Sequence, residues 1–184
     1  MDLRELGWDS THEQNFETYL DDDILPARVI REARGSSLLA AGAGEITAEI
    51  SGRFRHEARE RIDFPAVGDW VAYRPREGEG RGTIHAVLPR RSRFVRKRAG
   101  VKTEGQVVAA NVDVVYLVSG LDGDFNLRRI ERYLTLAWDS GASPVVVLNK
   151  ADLCDDPDLR VRQVEGLAAA SPVYHELPGL NSRA

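Results

Sequence analysis

A single cysteine, Cys154, leaves no room for an internal disulfide framework or for a zinc site built on several thiolates. No apolar run approaches the roughly 20 residues of a membrane-spanning helix. Met1-Asp2-Leu3-Arg4-Glu5 has neither the basic start nor the apolar core of a secretory signal, so the expectation is a cytosolic protein. Internal repeats and low-complexity tracts are missing. His12, His56, His85 and His175 are scattered, with no acid or cysteine at metal-ligand spacing, and read as ordinary surface or strand positions. No Ser-His-Asp set is recognisable. No Gly-Lys pair occurs anywhere in the chain, so it does not contain the phosphate-cradling loop Gly-x-x-x-x-Gly-Lys-Ser/Thr.

What is present is an ordinary globular composition with an uneven charge. The 184 residues are 42% apolar and 29% charged, with a net charge of −4. Residues 1–25 carry −7, residues 26–104 carry +7 and residues 105–184 carry −4. The acidic total therefore says nothing against a polyanionic partner for the middle segment.

The charge steps suggest an N-terminal extension over 1–25, with a short amphipathic helix around 10–20 packed on the next domain. From Pro26 short strands alternate with turn residues. Ala27–Arg31, Leu38–Ala41, Ile46–Ile50, Val67–Tyr73 and Thr83–Leu88 read as five strands, with Val67, Asp69, Val71 and Tyr73 on one face of the fourth. Five short strands over 26–89 suit a small closed barrel, of which the OB-fold is the commonest five-stranded type; an SH3-like barrel fits nearly as well. Residues 90–102 hold seven basic residues and no acid. Residues 90–104 read as a basic linker, and Arg90, Arg91, Arg93, Phe94, Arg96, Lys97 and Arg98 are RNA-binding candidates. Their charges would give salt-sensitive contacts to phosphates, and an exposed Phe94 would stack on a base.

After Gly105 the pattern becomes α/β. Val112–Val118 is a near-continuous apolar strand, expected to be covered on both faces. Asn126 is a helix N-cap, and Leu127, Ile130, Leu134 and Ala137 recur at helical spacing. Pro144–Leu148 is a second buried strand. A helix from about 157 has Leu159, Val164 and Leu167 on its core side, and a short strand runs from Val173 to Leu177. Arg128, Arg129 and Arg132 read as a solvated helix face.

The sharpest feature is Asn149-Lys150-Ala151-Asp152 at the C-terminal end of the second strand. Ligands of open α/β sheets sit beyond the strand ends. There the Asp152 carboxylate can accept two hydrogen bonds from the ring N–H and amine of guanine, which adenine cannot supply. The Lys150 stem can cover the base face with its charge solvated, and Asn149 can tie loops together and contact the base edge. A guanine site belongs with a phosphate loop, which in ordinary GTPases comes first. Here only one strand and one helix precede Asn149, so either the element order is permuted or the motif is a coincidence.

Five blocks in order resemble the circularly permuted, small-ribosomal-subunit-dependent GTPases of the RsgA (YjeQ) family. They are Pro65–Val71, Leu88-Pro89-Arg90, Ala109–Asp113, Phe125–Leu134 and Val147–Leu153. The resemblance covers most of 24–177. It implies an OB-fold followed, over 105–184, by the first part of a permuted P-loop GTPase domain, and a role in late maturation of the small (30S) subunit. It further implies GTP hydrolysis by the intact protein, Mg²⁺ at the phosphate loop, zinc in a C-terminal domain, 16S rRNA as partner, no membrane, and a cytoplasmic monomer. The phosphate loop and zinc domain would lie beyond position 184, and Pro178-Gly179-Leu180 stands where the family has a Ser-Ala or Ser-Gly loop. The expectation is thus a partial chain, inactive by itself, with no catalytic or metal residues. The rivals are a non-enzymatic OB-fold RNA-binding module and an inactive remnant.

Overall fold

Alternation of apolar and polar residues, broken by glycine turns, produces a strand wherever one face can be buried. The computed structural model describes residues 1–19, 23–76, 78, 80–97, 105–168 and 171–175, and divides them into two units, Met1–Asn111 and Val112–Ala184.

The first unit is built on a closed barrel of β1 (Leu25–Ala33), β2 (Ser36–Ala41), β3 (Gly44–Ile50), β4 (Trp70–Arg76) and β5 (Arg81–Val87). Neighbours run in the order β1-β2-β3-β5-β4, closed by antiparallel β1–β4 pairing and containing a parallel β3–β5 pair. That is the OB-fold arrangement and leaves no free edge. Its core is Ala27, Val29, Leu39, Ala41, Ala48, Val71, Tyr73 and Ile84. Register shifts in β1 after Val29 and between β4 and β5 at Ala72/Tyr73 mark bulges, which bend strands around a barrel.

Expectation and structure part at β4. Val71 and Tyr73 do face the barrel core, but Trp70 and Ala72 on the other face are buried as well. The chain's start covers them. Helix α1 (Ser10–Phe16), capped by the Asp9 carboxylate, continues into a 3-10 turn, Glu17–Tyr19. Leu3, Leu6, Trp8, Phe16 and Tyr19 pack with Trp70, Ala72 and Leu88. Val67 and Asp69 precede the strand. Between them Gly68 turns the chain at φ +92°, and a Cβ there would lie 2.0 Å from the Ala110 carbonyl oxygen, so only glycine fits.

Between β3 and β4 lie α2 (Gly52–Glu57) and a 3-10 turn, Arg61–Asp63. Residues 90–104, read as a linker, are partly a strand. β6 (Arg93–Lys97) pairs antiparallel with β7 (Gly105–Ala110). A five-residue strand with three cations gives little pattern of its own and is defined by its partner.

The second unit has three parallel strands in the order β10 (Val173–Tyr174), β9 (Ser143–Asn149), β8 (Val114–Gly120). Helices α3 (Leu127–Ser140) and α4 (Pro157–Ala168) pack on one face, burying Leu121, Ile130, Leu134, Val146, Leu148, Val164 and Ala168. Asn126 caps α3 through its side chain, and Gly141 ends it in the left-handed region. The other face of β8 is open: Val114, Tyr116 and Val118 are 45, 64 and 66% exposed, where the sequence suggested cover on both sides. Leu159, expected on the core side of α4, is exposed, and Val164 with Ala168 takes that role. The expected strand beyond His175 lies outside the described residues. No helix among the described residues is long and apolar enough to cross a membrane.

Candidate functional site

β9 ends at Asn149, opposite Gly120 of β8, and the Asn149 carbonyl accepts the Leu121 N–H at 2.8 Å. Two parallel strands therefore deliver their following loops to the same edge, the position where α/β sheets bind ligands. Lys150 adopts the left-handed conformation (φ 61°, ψ 41°) and starts a 3-10 turn, Ala151–Leu153. The turn is closed by Leu153 N–H to the Lys150 carbonyl (3.1 Å) and Cys154 N–H to the Ala151 carbonyl (3.2 Å). A non-glycine residue in that conformation is uncommon and points to a locally enforced turn. Asn149, Lys150 and Asp152 are all exposed at this edge, and the Asp152 carboxylate makes no hydrogen bond among the described residues. Two acceptor oxygens thus stand free for a ligand.

The neighbouring loop supplies what the sequence reading missed. The Lys150 ammonium is ion-paired with the Asp122 carboxylate. The hydrogen bond from Lys150, reinforced by the Asp124 N–H, holds the Asp122 carboxyl below the usual range, and the same bond raises the Lys150 ammonium. Arg129 grips Asp124 with two nitrogens, at 3.0 and 2.8 Å, lowering that carboxyl in turn. Gly120 leaves the space this loop needs, because a Cβ would meet Asp122 Oδ1 at 2.9 Å. The lysine stem is so fixed across the strand ends.

The second candidate, the basic stretch, divides. The Arg90 side chain is engaged within the fold and only slightly exposed. Its guanidinium forms a bidentate pair with the fully buried Asp69 (2.7 and 2.6 Å) and donates to the carbonyls of Ile62 (2.5 Å) and Phe64 (2.8 Å). These four bonds engage all three nitrogens of its fork. Arg91 pairs with Asp9 at 2.8 Å. Arg93 and Arg96 are exposed on β6, and Phe94 is half-buried instead of presenting a free ring. The Lys97 side chain and Arg98 lie outside the described residues. Asn111, at φ 52°, holds this region together: it accepts from the Arg91 N–H (2.9 Å), donates to the Gly68 carbonyl (3.1 Å), and its carbonyl accepts from Arg28 (3.1 Å). On α3, Arg129 is committed to Asp124, and Arg132 lies over the Tyr133 ring.

His12 departs most from expectation. It is fully buried, stacked on Trp8 (5.5 Å), tilted against Trp70 (5.5 Å) and 2.8 Å from Asp9 Oδ1. Burial pushes its imidazole below its ordinary value, against the opposing pull of Asp9. No group of three or more His, Cys, Asp or Glu residues is placed to hold a metal among the described residues.

Residues 87–174 match the family model described as RsgA GTPase. The chain is 48% identical over 181 residues to the small ribosomal subunit biogenesis GTPase RsgA of Opitutus terrae, covering 94% of this chain and 49% of that protein. It is 44% identical to the RsgA of Syntrophotalea carbinolica, with the same coverages. The chain therefore spans about half the length of these curated relatives. The fold is similar to the crystal structure of YjeQ from Thermotoga maritima (TM-score 0.63, 28% identity, 82% of this chain and 50% of that one). YloQ, a circularly permuted GTPase, has a similar fold at 19% identity, with a TM-score of 0.62 over 85% of this chain and 52% of that one.

Proposed function

Since residues 87–174 match the RsgA GTPase family model, we propose that this chain is the OB-fold and guanine-reading part of a ribosome biogenesis GTPase. Asp152 reads the guanine ring N–H and exocyclic amine, Lys150 lays its stem along the base with its head held by Asp122, and Asn149 contacts the base edge. One observation carries this reading: Asn149-Lys150-Ala151-Asp152 turns directly off a parallel strand, with the Asp152 carboxylate unpaired among the described residues. The whole protein converts GTP to GDP and phosphate. Phosphoryl transfer needs a phosphate cradle with Mg²⁺, and neither that loop nor a carboxylate set for a metal is found among the residues described here. Zinc likewise would need ligands other than these.

The partner is the small ribosomal subunit, the object of the RsgA relatives' names, and its 16S rRNA. Contact falls to the basic segment 26–104 of the first unit, with exposed Arg93 and Arg96 among the residues involved. The protein acts as a monomer in the cytoplasm. Competition between GTP and ATP, measured on a polypeptide extending over the relatives' full length, tests the base-reading core of the proposal. GTP should displace a labelled guanine nucleotide at far lower concentration than ATP, and equal displacement would overturn it.

A further inference from the structure

The first unit has a cavity of about 780 Å³, within the range of small-ligand sites. It opens between the β1–β2 hairpin and the segment joining β3 to β4. Arg55, Arg59 and Arg61 are among the residues that line it. All three are exposed, and none is ion-paired among the described residues, whereas the neighbouring Arg53 is paired with Glu57. Ser36 and Ser37 of β2 line it as well, with Ala48, Ile50, Phe64 and Val107 as its apolar members. Glu32 and Glu60 also line the cavity, so three cations face two carboxylates.

A bare phosphate site would gain nothing from the carboxylates or the apolar lining, but a nucleotide uses every part. Arginines hold its phosphates, the aromatic and aliphatic lining takes the base, and carboxylate and hydroxyl oxygens accept from base amines and the ribose 2′-hydroxyl. The place in the fold agrees: OB barrels take oligonucleotides on strands 2 and 3 and the loop joining strands 1 and 2. Gln106 on the cavity rim pairs with Arg96 of β6, so exposed cations continue past the opening. We propose that this cavity receives one unpaired nucleotide of an RNA strand, with Arg55, Arg59 and Arg61 on the flanking phosphates. The inference rests on RNA being the partner and adds a site and a preference for unpaired over duplex RNA.

The test is anisotropy titration of the 184-residue chain with a short unstructured oligoribonucleotide and with a duplex of the same length, across salt concentrations. The arginines are exposed, so Arg55→Ala/Arg59→Ala/Arg61→Ala should keep the wild-type circular dichroism and melting. It should bind the single strand at least about tenfold more weakly at low salt, with a log–log salt slope shallower by about 2, near 0.7 per lost phosphate contact. The methyl resonances of Ile50 and Val107 should shift on addition of the oligonucleotide to the wild type. A triple variant that binds as wild type, while Arg93→Ala/Arg96→Ala loses binding, would move the site to β6 and overturn the proposal. Equal affinity for duplex would also overturn it, since no base then enters. If the wild type binds no RNA, the partner reading falls and the cavity with it. The guanine reading is untouched by these outcomes, because its residues lie in the other unit.

Discussion

An exposed carboxylate without a hydrogen-bond partner among the described residues, as at Asp152, is what the proposed choice between bases requires. Asp152→Asn replaces one acceptor with a donor, which then confronts the amine of guanine. Leaving such groups unpaired costs about 1–3 kcal/mol, or about tenfold to over a hundredfold in affinity. Xanthine carries a carbonyl where guanine has its amine, so the same asparagine can pair with it. In the full-length protein the variant should lose GTP and gain XTP, read by competition among GTP, ATP and XTP; retained GTP preference would show that another residue reads the base. The other decisive carboxylate is Asp69. Fully buried, it takes both the Arg90 fork and the Ala66 N–H at 2.8 Å. Removing one partner of a buried pair strands the other charge, so Asp69→Ala should destabilise the first unit by about 3–5 kcal/mol. Urea unfolding followed by tryptophan fluorescence, in a Trp138→Phe background that leaves only Trp8 and Trp70 of the first unit, would measure it. A loss below about 1 kcal/mol, the size of a surface pair, would mean that Arg90 finds water instead.

At the scale of elements, β4 shows how one strand organises a unit. Its two faces are claimed by different cores, the barrel interior and the N-terminal segment. Arg28 helps hold that segment, donating to the Leu6 carbonyl and lying over the Trp70 ring at 5.6 Å. Within this docking site His12 is buried as the neutral imidazole, facing Asp9 on its own helix end, Arg91 from the start of the basic stretch and Arg28 from β1. Because its folded-state pKa is depressed, the unfolded chain binds the proton more readily. Its contribution is therefore complete above the ordinary value near 6.5 and is lost as pH falls below it. The melting temperature should drop from about pH 7 to pH 5, and His12→Phe, which keeps a ring between Trp8 and Trp70, should flatten that drop. An identical slope in the variant would assign it elsewhere. None of this was visible in the sequence, because the burial of His12 depends on Trp70, 58 positions away. The barrel strands and α3 were legible, since Ala27–Arg31, Ile46–Ile50 and the Leu127, Ile130, Leu134, Ala137 spacing each record a buried face locally. Asn149–Asp152 was legible because its members are contiguous. The Asp122–Lys150 pair and the Asp69–Arg90 pair were not, because each joins loops 28 and 21 residues apart that only the folded chain brings together. A run of cations concealed β6 for the same reason.

Across the whole molecule, charge is distributed by segment. The positive excess lies in residues 26–104, the barrel and its two-stranded annex, and is offset within the first unit by the acidic residues 1–25, while the loops proposed to read the base sit in the acidic second unit. The chain covers about half of its curated relatives, and base recognition is separable from hydrolysis. An edge that reads guanine can fix which nucleotide binds, but acceleration of phosphoryl transfer comes from positioning the phosphates and neutralising their developing charge. The 184 residues contain no Gly-Lys pair, and their described part contains no metal-binding group, which motivates a prediction about the polypeptide taken alone. Purified by itself, it should release phosphate from GTP no faster than buffer does, even with Mg²⁺ present. It should bind GTP no better than guanosine, because only the base would be held. Phosphate release can be followed with a coupled assay, using Asp152→Ala as the internal control for contamination. Turnover that disappears in that variant would place phosphate chemistry within these residues and overturn the division of labour; turnover equal in both proteins would belong to a contaminant and leave it standing.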